Sequence, residues 1–247
     1  MFTIGTANLA YLLTDALATC ETDPEAMLPG VHVATHRAAG FGDEPGRVDL
    51  IALTSTNGHV VGHTFDVVDG QVTASVWPPV QALTVLAICK GLAKAGGKDH
   101  TVDVEVVEQV PDGEPSGDET PAHPGYVVTV RETPALFESD TEFTFHAEHE
   151  GRFPLGMVAK VLRPELDGEA GSVGPELLWS PAVLAPLTAI GRRRKSEIRF
   201  YRVPGRDAQV VQIGGTWLGA AMPMKPVPGE ERTEPSIDAL LPAGVDG

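Results

Sequence analysis

Cysteine, basic residues and long apolar runs are all scarce in this sequence. Its 247 residues include two cysteines, Cys20 and Cys89, which are far apart and form no Cys-x-x-Cys motif. We therefore expect two buried thiols in a reducing compartment rather than a disulfide framework. Apolar runs break within about ten residues, too short to span a bilayer, and no basic segment precedes an apolar block at the N-terminus. These absences predict a cytoplasmic protein with neither a membrane span nor a signal peptide.

Basic residues are outnumbered by acids. The chain has 18 Lys and Arg against 34 Asp and Glu, a formal net charge of −16. This balance excludes a simple basic protein that coats DNA, although it permits one local basic surface. Fourteen of the acids lie in residues 99–151 beside a single Arg. Residues 111–124 within that block predict a loop, and residues 226–247 predict a disordered acidic tail.

Motifs for catalysis and metal binding are absent as well. The sequence has no His-Glu-x-x-His or Cys-rich spacing, no Gly-x-Ser-x-Gly and no phosphate-binding loop. His146 and His149 look like a ligand pair, but residues three apart in a strand point to opposite faces. We therefore expect a protein that is not an enzyme and that takes no metal and no cofactor.

Helices are predicted from apolar residues at helical spacing. Residues 7–20 predict one helix, with Thr6 as its N-cap. Residues 80–95 predict a second, which begins after two prolines and ends at two glycines. A third is predicted from Ser180 to Ile190, with Pro186 weakening its second turn.

Strands are predicted from short runs of β-branched and aliphatic residues. Asn57-Gly58 lies between two such runs and predicts a type I′ hairpin, because that turn needs two positive φ angles. Asp69-Gly70 predicts a second tight turn that completes an antiparallel meander. The order of helix, four strands, helix, several strands and a partial second copy predicts an α+β fold with antiparallel sheets and helices packed on one face. The predicted strands cover residues 31–35, 48–54, 59–68, 71–76, 102–110, 126–132, 142–149, 176–179, 197–203, 208–213 and 219–222.

Several short segments, taken in order, resemble the bacterial DNA polymerase III sliding clamp (beta subunit) family. Residues 2–13 resemble the start of its middle domain. Residues 56–61, TNGHVV, resemble its TDGHRL hairpin, and residues 150–154, EGRFP, its DGRFP segment. Residues 220–225, AAMPMK, resemble its C-terminal VMPMR. The resemblance implies a DNA-clamp-like fold.

The domain organisation implied by the resemblance has three parts. Residues 1–164 correspond to one complete clamp domain, and residues 165–225 to the second half of another. Residues 226–247 form the tail.

A peptide-binding pocket is the first site that the resemblance implies. In this family a hydrophobic pocket receives short linear motifs of polymerases and clamp loaders. Flexible Met side chains suit such a task, although Met near a chain end is also ordinary core filler. This chain has Val60 where the family has a basic residue, and Asn57 where it has Asp. The positions that match the pocket are Leu28, Gly58, His59, Val60, Pro154, Met222, Pro223 and Met224.

A non-specific contact with duplex DNA is the second site implied by the resemblance, because clamp helices line a DNA channel. Cations at helix ends also complement the helix dipole, so a purely structural role stays open. The candidate DNA contacts are Lys90, Lys94, Lys98, Arg192, Arg193, Arg194 and Lys195.

Two functions follow from the resemblance. One is a clamp-like replication accessory protein that docks partner peptides and encircles or loosely contacts duplex DNA. The alternative is a shortened relative that forms no ring and acts as an adaptor, decoy or inhibitor of clamp partners. A partial sheet exposes an unpaired strand edge, and pairing between two chains would cover it. We therefore expect a homo-oligomer.

Overall fold

The residues described by the computed structural model form four α-helices and eleven β-strands. The described residues are 1–23, 30–39, 46–97, 99–109, 125–133, 141–163, 177–203 and 206–224. The helices are α1 (Thr6–Thr19), α2 (Pro79–Gly96), α3 (Leu155–Leu162) and α4 (Pro181–Arg194). The strands are β1 (Phe2–Gly5), β2 (Val31–Ala39), β3 (Arg47–Thr56), β4 (Val60–Gly70), β5 (Ser75–Trp77), β6 (Thr101–Gln109), β7 (Gly125–Glu132), β8 (Glu142–His149), β9 (Ile198–Tyr201), β10 (Gln209–Ile213) and β11 (Trp217–Ala221).

The first eight strands close on themselves. Their order is β1-β6-β7-β8-β5-β2-β3-β4, and β1 also pairs with β4 through Phe2 opposite Gly70. The other end of β4 pairs with β11, so the strands β11-β10-β9 continue the sheet from there. All pairings are antiparallel. Among the described strands, β9 alone has a single neighbour.

The main core lies between this sheet and helices α1 and α2. The predicted apolar face of α1 is confirmed, because Leu9, Leu12, Leu13 and Ala16 are buried there. Trp77 from β5 is also fully buried in this core. Cys20 and Cys89 are buried free thiols, as predicted. The α+β fold with antiparallel strands is confirmed.

A second, smaller core lies under α4. Its members come from α4, β10, β11 and the start of β4, including Leu187, Val211 and Val60. The order α4-β9-β10-β11 repeats the order α2-β6-β7-β8, and the partial second domain stays a prediction. The domain boundary near residue 164 falls outside the described residues and stays a prediction.

Three local predictions are wrong. Thr6 does not cap α1, because Gly5 is the N-cap and the buried Thr6 hydroxyl lies 2.6 Å from His100 Nδ1 instead. The turn at Asn57 is not type I′, because only Gly58 has a positive φ, of 84°. Asp69-Gly70 does not lead into a paired fourth strand of a meander, because β5 pairs with β2 and β8.

Two other elements differ from their predictions. Helix α4 continues through Pro186 and ends at Arg194, four residues beyond the predicted end. The strand predicted at residues 176–179 is reduced to one bridge, between Leu178 and Met224. The predicted loop 111–124 and the tail 226–247 lie outside the described residues. No helix in the described part of the chain combines the length and the apolarity that crossing a membrane requires.

A buried ion pair joins the two cores. Asp15 of α1 is fully buried, and its carboxylate accepts hydrogen bonds from Arg193 and Arg194 at the end of α4. Arg194 also donates to the Thr64 and Thr216 hydroxyls at 2.9 and 2.8 Å. Both guanidinium groups lie over the ring of Tyr11. Helix α4 is thereby fixed to helix α1 and to strand β4.

Replacing Asp15 tests how much this ion pair contributes to the stability of the protein. Asp15→Asn leaves two guanidinium groups without their counter-charge in a buried setting, so the free energy of unfolding should fall by about 3 kcal/mol. Glu197→Gln is the matched control, because it removes an ion pair whose two side chains are exposed, and should cost less than about 1 kcal/mol. Urea denaturation of both variants measures the difference. Equal losses would contradict the assigned role.

Candidate functional site

An apolar cleft of about 200 Å³ lies on the sheet face opposite to α4. It is bounded by the turn after β3, the outer side of β4 and β11, and helix α3. None of the described residues that line it is Asp, Glu, Lys or Arg, so its chemistry suits an apolar side chain from a ligand. The residues that line it are Thr56, Gly58, His59, Val61, Pro154, Met157, Val158, Val161, Ala208, Ala220, Ala221 and Met222.

The turn between β3 and β4 forms one rim of the cleft. The Asn57 side chain accepts hydrogen bonds from the backbone N–H groups of His59 and Val60, at 3.1 and 2.8 Å. Gly58 takes the positive φ that this tight turn needs. The rim is therefore held by a side chain and a glycine together, which leaves the His59 side chain exposed at the cleft.

Val60 does not line the cleft, contrary to the expectation from the resemblance. It is fully buried in the core under α4. Side chains alternate along a strand, so Val61 takes the outward place and lines the cleft instead. Leu28 lies outside the described residues.

Helix α3 forms the opposite wall. Phe153 and Val158 are buried against Val76 of β5, and Val61 and Leu162 pack beside them. Pro154 starts the helix, and Met157 is 66% exposed. This helix was not among the predicted helices, although Leu155, Val158 and Leu162 have helical spacing.

Strand β11 and the residues after it form the floor and the far end. The Met222 N–H donates to the His59 carbonyl at 3.0 Å, which ties the end of β11 to the turn. A second hollow of about 440 Å³ continues past this point, and it shares Gly58, His59 and Met222 with the first. Its other lining residues are Asn57, Ser180, Ala182, Val183, Pro223 and Met224. We call the two hollows together the groove.

The groove brings together most of the predicted peptide-binding positions. Met222 and Met224 are 41% and 53% exposed, so their side chains are not part of the hydrophobic core. The groove is also lined by residues outside the predicted set, among them Thr56, Val61, Met157, Val158 and Ala220. The predicted residues that line the groove are Gly58, His59, Pro154, Met222, Pro223 and Met224.

Helices α1, α2 and α4 form a different surface, which we call the helix face. Helix α1 packs against both α2 and α4. Although the chain has 34 acidic residues, the only one in these three helices is Asp15, which is buried and paired. The helix segments themselves therefore add no exposed negative charge to this surface.

The predicted cations divide into two groups on the helix face. Lys90 and Lys94 are exposed on α2, and Arg192 and Lys195 are exposed at the end of α4. Arg193 and Arg194 are hydrogen-bonded to Asp15, and only 6% of the Arg194 side chain is exposed. These two arginines are engaged inside the fold, so we no longer count them as DNA contacts. Lys98 lies outside the described residues.

Groups that could support catalysis are poorly placed. Burial raises the pKa of the Cys20 thiol to about 11 and that of Cys89 to about 12, so neither forms a nucleophilic thiolate near neutral pH. Within the described residues, no cluster of three or more His, Cys, Asp and Glu side chains is arranged to hold a metal ion.

Comparison with known proteins relates this geometry to one fold. No protein-family model and no curated protein matches the sequence. Among solved structures, the DNA polymerase III subunit beta from Pseudomonas aeruginosa is similar to this chain. The match covers 99% of this chain and 68% of that one, with a TM-score of 0.56 at 14% identity. The Bacillus subtilis sliding clamp has a TM-score of 0.55 at 12% identity, covering 98% of this chain and 67% of its own.

A sliding clamp from Pseudomonas aeruginosa bound to griselimycin is similar as well. Its TM-score is 0.55 at 14% identity, and the match covers 98% of this chain and 68% of that one. The fold of this chain is therefore the fold of bacterial sliding clamps.

Proposed function

We propose that this protein is a non-catalytic, clamp-like DNA replication factor that docks short linear peptides of polymerases or clamp loaders in the groove. The observation that carries the proposal is the assembly of six predicted positions into one apolar groove. These positions come from three segments far apart in the sequence, the turn at Gly58, the start of α3 at Pro154 and the residues from Met222 to Met224. A related fold crystallised with griselimycin adds support.

The expected peptide affinity follows from apolar burial. A Leu and a Phe side chain buried in the groove contribute roughly 3–6 kcal/mol before costs. Ordering the peptide and restricting its motion offsets part of that gain. Together with backbone contacts, we expect a Kd on the order of micromolar. The exposed, flexible Met157, Met222 and Met224 allow the groove to fit varied apolar side chains.

Truncating Met222 tests the groove. A labelled Gln-Leu-Ala-Leu-Phe peptide should bind the native chain, and Met222→Ala should weaken binding about tenfold because the wall between the two hollows is lost. Fluorescence anisotropy measures both titrations. Val107→Ala is the control, since Val107 is exposed on β6 away from the groove. Unchanged affinity in Met222→Ala, or no binding by the native chain, would contradict the proposal.

We also propose that duplex DNA contacts the helix face without sequence preference. Lys90 and Lys94 lie one turn apart on α2, and Arg192 and Lys195 lie at the end of α4 on the other side of α1. Such cations hold phosphates by releasing counterions, which makes the binding strongly dependent on salt. Helices α1, α2 and α4 carry no exposed acidic side chain, whereas the chain as a whole is acidic. This difference supports the helix face as the surface that contacts DNA.

The salt dependence of DNA binding tests this contact. For a short labelled duplex, the plot of log affinity against log salt should flatten by about 2 in Lys90→Ala/Lys94→Ala, since two phosphate contacts are lost. The control is Arg152→Ala/Lys160→Ala, which removes two exposed cations outside the helix face. Equal slopes in the native chain and the α2 variant, or an equal change in the control, would exclude this face.

We further propose that two chains associate through β9. Its outer edge pairs with no described strand along its whole length, and Phe200 and Tyr201 are exposed along it. Two identical copies can pair through their β9 edges. That contact is antiparallel and symmetric about a two-fold axis.

Light scattering tests this association. The native chain should have twice the mass of one chain at micromolar concentrations, and Phe200→Lys should have the mass of one. The control Val107→Lys places the same charge at an exposed position on β6, away from β9, and should stay dimeric. A native monomer that still binds the peptide would favour the alternative function, a non-encircling adaptor, decoy or inhibitor of clamp partners.

A further inference from the structure

A separate hollow of about 290 Å³ lies on the other side of α3 from the groove. Its walls are apolar, including Ala52, Leu155, Leu162 and Leu218, and it shares Val158 with the groove. Its interior differs from the groove because polar and titratable side chains converge there. We call it the histidine pocket, after His32, His36 and His63, which line it with Thr54, Glu150 and Arg163.

The sheet register explains why these side chains meet. His32 of β2 lies opposite Thr54 of β3, and Thr54 lies opposite His63 of β4. The three residues therefore form one row across the outer face of the sheet. His36 is four residues further along β2 and points to the same side. The Thr54 hydroxyl lies 2.9 Å from His63 Nδ1, which orients that ring.

His32 has a buried ring nitrogen without a hydrogen-bond partner. The residue is 4% exposed, and its Nε2 atom makes no hydrogen bond. The nearest carboxylate oxygen, Glu150 Oε2, is 3.9 Å away, which is too far for a hydrogen bond. The ring is held against Phe153 with centroids 5.5 Å apart. Buried polar atoms are normally paired, so this nitrogen indicates a ligand atom that completes the site.

The surrounding charges indicate the sign of that ligand. Burial, then the charges of His36 and His63, lower the pKa of His32 to about 4. Burial, His36 and Arg163 lower the pKa of His63 as well. Burial first, and then positive neighbours, thus oppose protonation of both rings, and Glu150 is the one acid among the described residues that line the pocket. A ligand that brings negative charge and hydrogen-bond acceptors would relieve both effects.

We propose that the histidine pocket binds a carboxylate, with His32 Nε2 donating to one of its oxygens and His63 and Arg163 beside it. The carboxylate comes either from a small free acid or from an Asp or Glu side chain of a peptide in the adjoining groove. The second source rests on the proposed function, while the first does not. The apolar walls fit the short carbon chain that either source carries.

Titration with acetate tests the pocket itself. Imidazole NMR signals of His32 and His63 should shift and saturate as acetate is added to the full-length chain. Binding of acetate should be accompanied by uptake of one proton at His32. The affinity should therefore rise by up to about tenfold for each pH unit that the pH falls, as long as the pH stays above the carboxyl pKa of acetate. His32→Phe keeps an aromatic ring beside Phe153 but should abolish the saturable shift of His63. His146→Gln, at an exposed position on β8, should leave it unchanged.

Two peptides that differ in one residue distinguish the two sources of the carboxylate. The labelled Gln-Leu-Ala-Leu-Phe peptide is extended at either end by one Asp or, as the control, by one Asn. If the peptide supplies the carboxylate, one Asp form should bind more tightly than its Asn form, and His32→Phe should remove that difference alone. If a free acid supplies it, acetate binds but the Asp and Asn forms are equal. Acetate shifts that persist in His32→Phe, or no saturable shift in the native chain, would overturn the proposal whether or not the peptide binds the groove.

Discussion

The ion pair of Asp15 with Arg193 and Arg194 is the constraint on which the rest of the structure depends. The partners are 178 and 179 residues apart in the sequence, and they meet where α1, α4 and β4 come together. This contact joins the small core to the large one next to the backbone pairing of β11 with β4. The groove lies across that junction, since one rim comes from the β3–β4 turn and the other side from β11. The ion pair on one side of the sheet and the apolar site on the other thus lie at the same junction.

The same ion pair separates two kinds of basic residue that look alike in the sequence. The run from Arg192 to Lys195 reads as one patch, yet its two middle residues point inward and its outer two are exposed. Helical spacing alone does not predict this division, because the partner acid lies in a distant helix. The helix face therefore depends on residues that surround the paired arginines rather than on the whole run.

Local pattern predicted most helices and strands, because apolar periodicity is a property of neighbouring residues. The errors have physical reasons. Strand β5 was assigned to the wrong neighbour because its partners β2 and β8 are set by tertiary packing. Helix α3 was missed because it is short, contains Gly156 and buries only Val158 fully. Six of the eight predicted groove positions line the groove, Val60 was misassigned by one residue of strand alternation, and Leu28 is not described.

The closed circuit of the first eight strands has a consequence for how this protein can assemble. A sheet with two free edges can add strands from further molecules at both ends, and such growth has no natural stopping point. Here the closed circuit leaves β9 as the one described strand with a single neighbour, and a symmetric contact between two copies uses both β9 edges at once. Assembly through β9 is then self-terminating, because the symmetric pair leaves no β9 edge for a third copy.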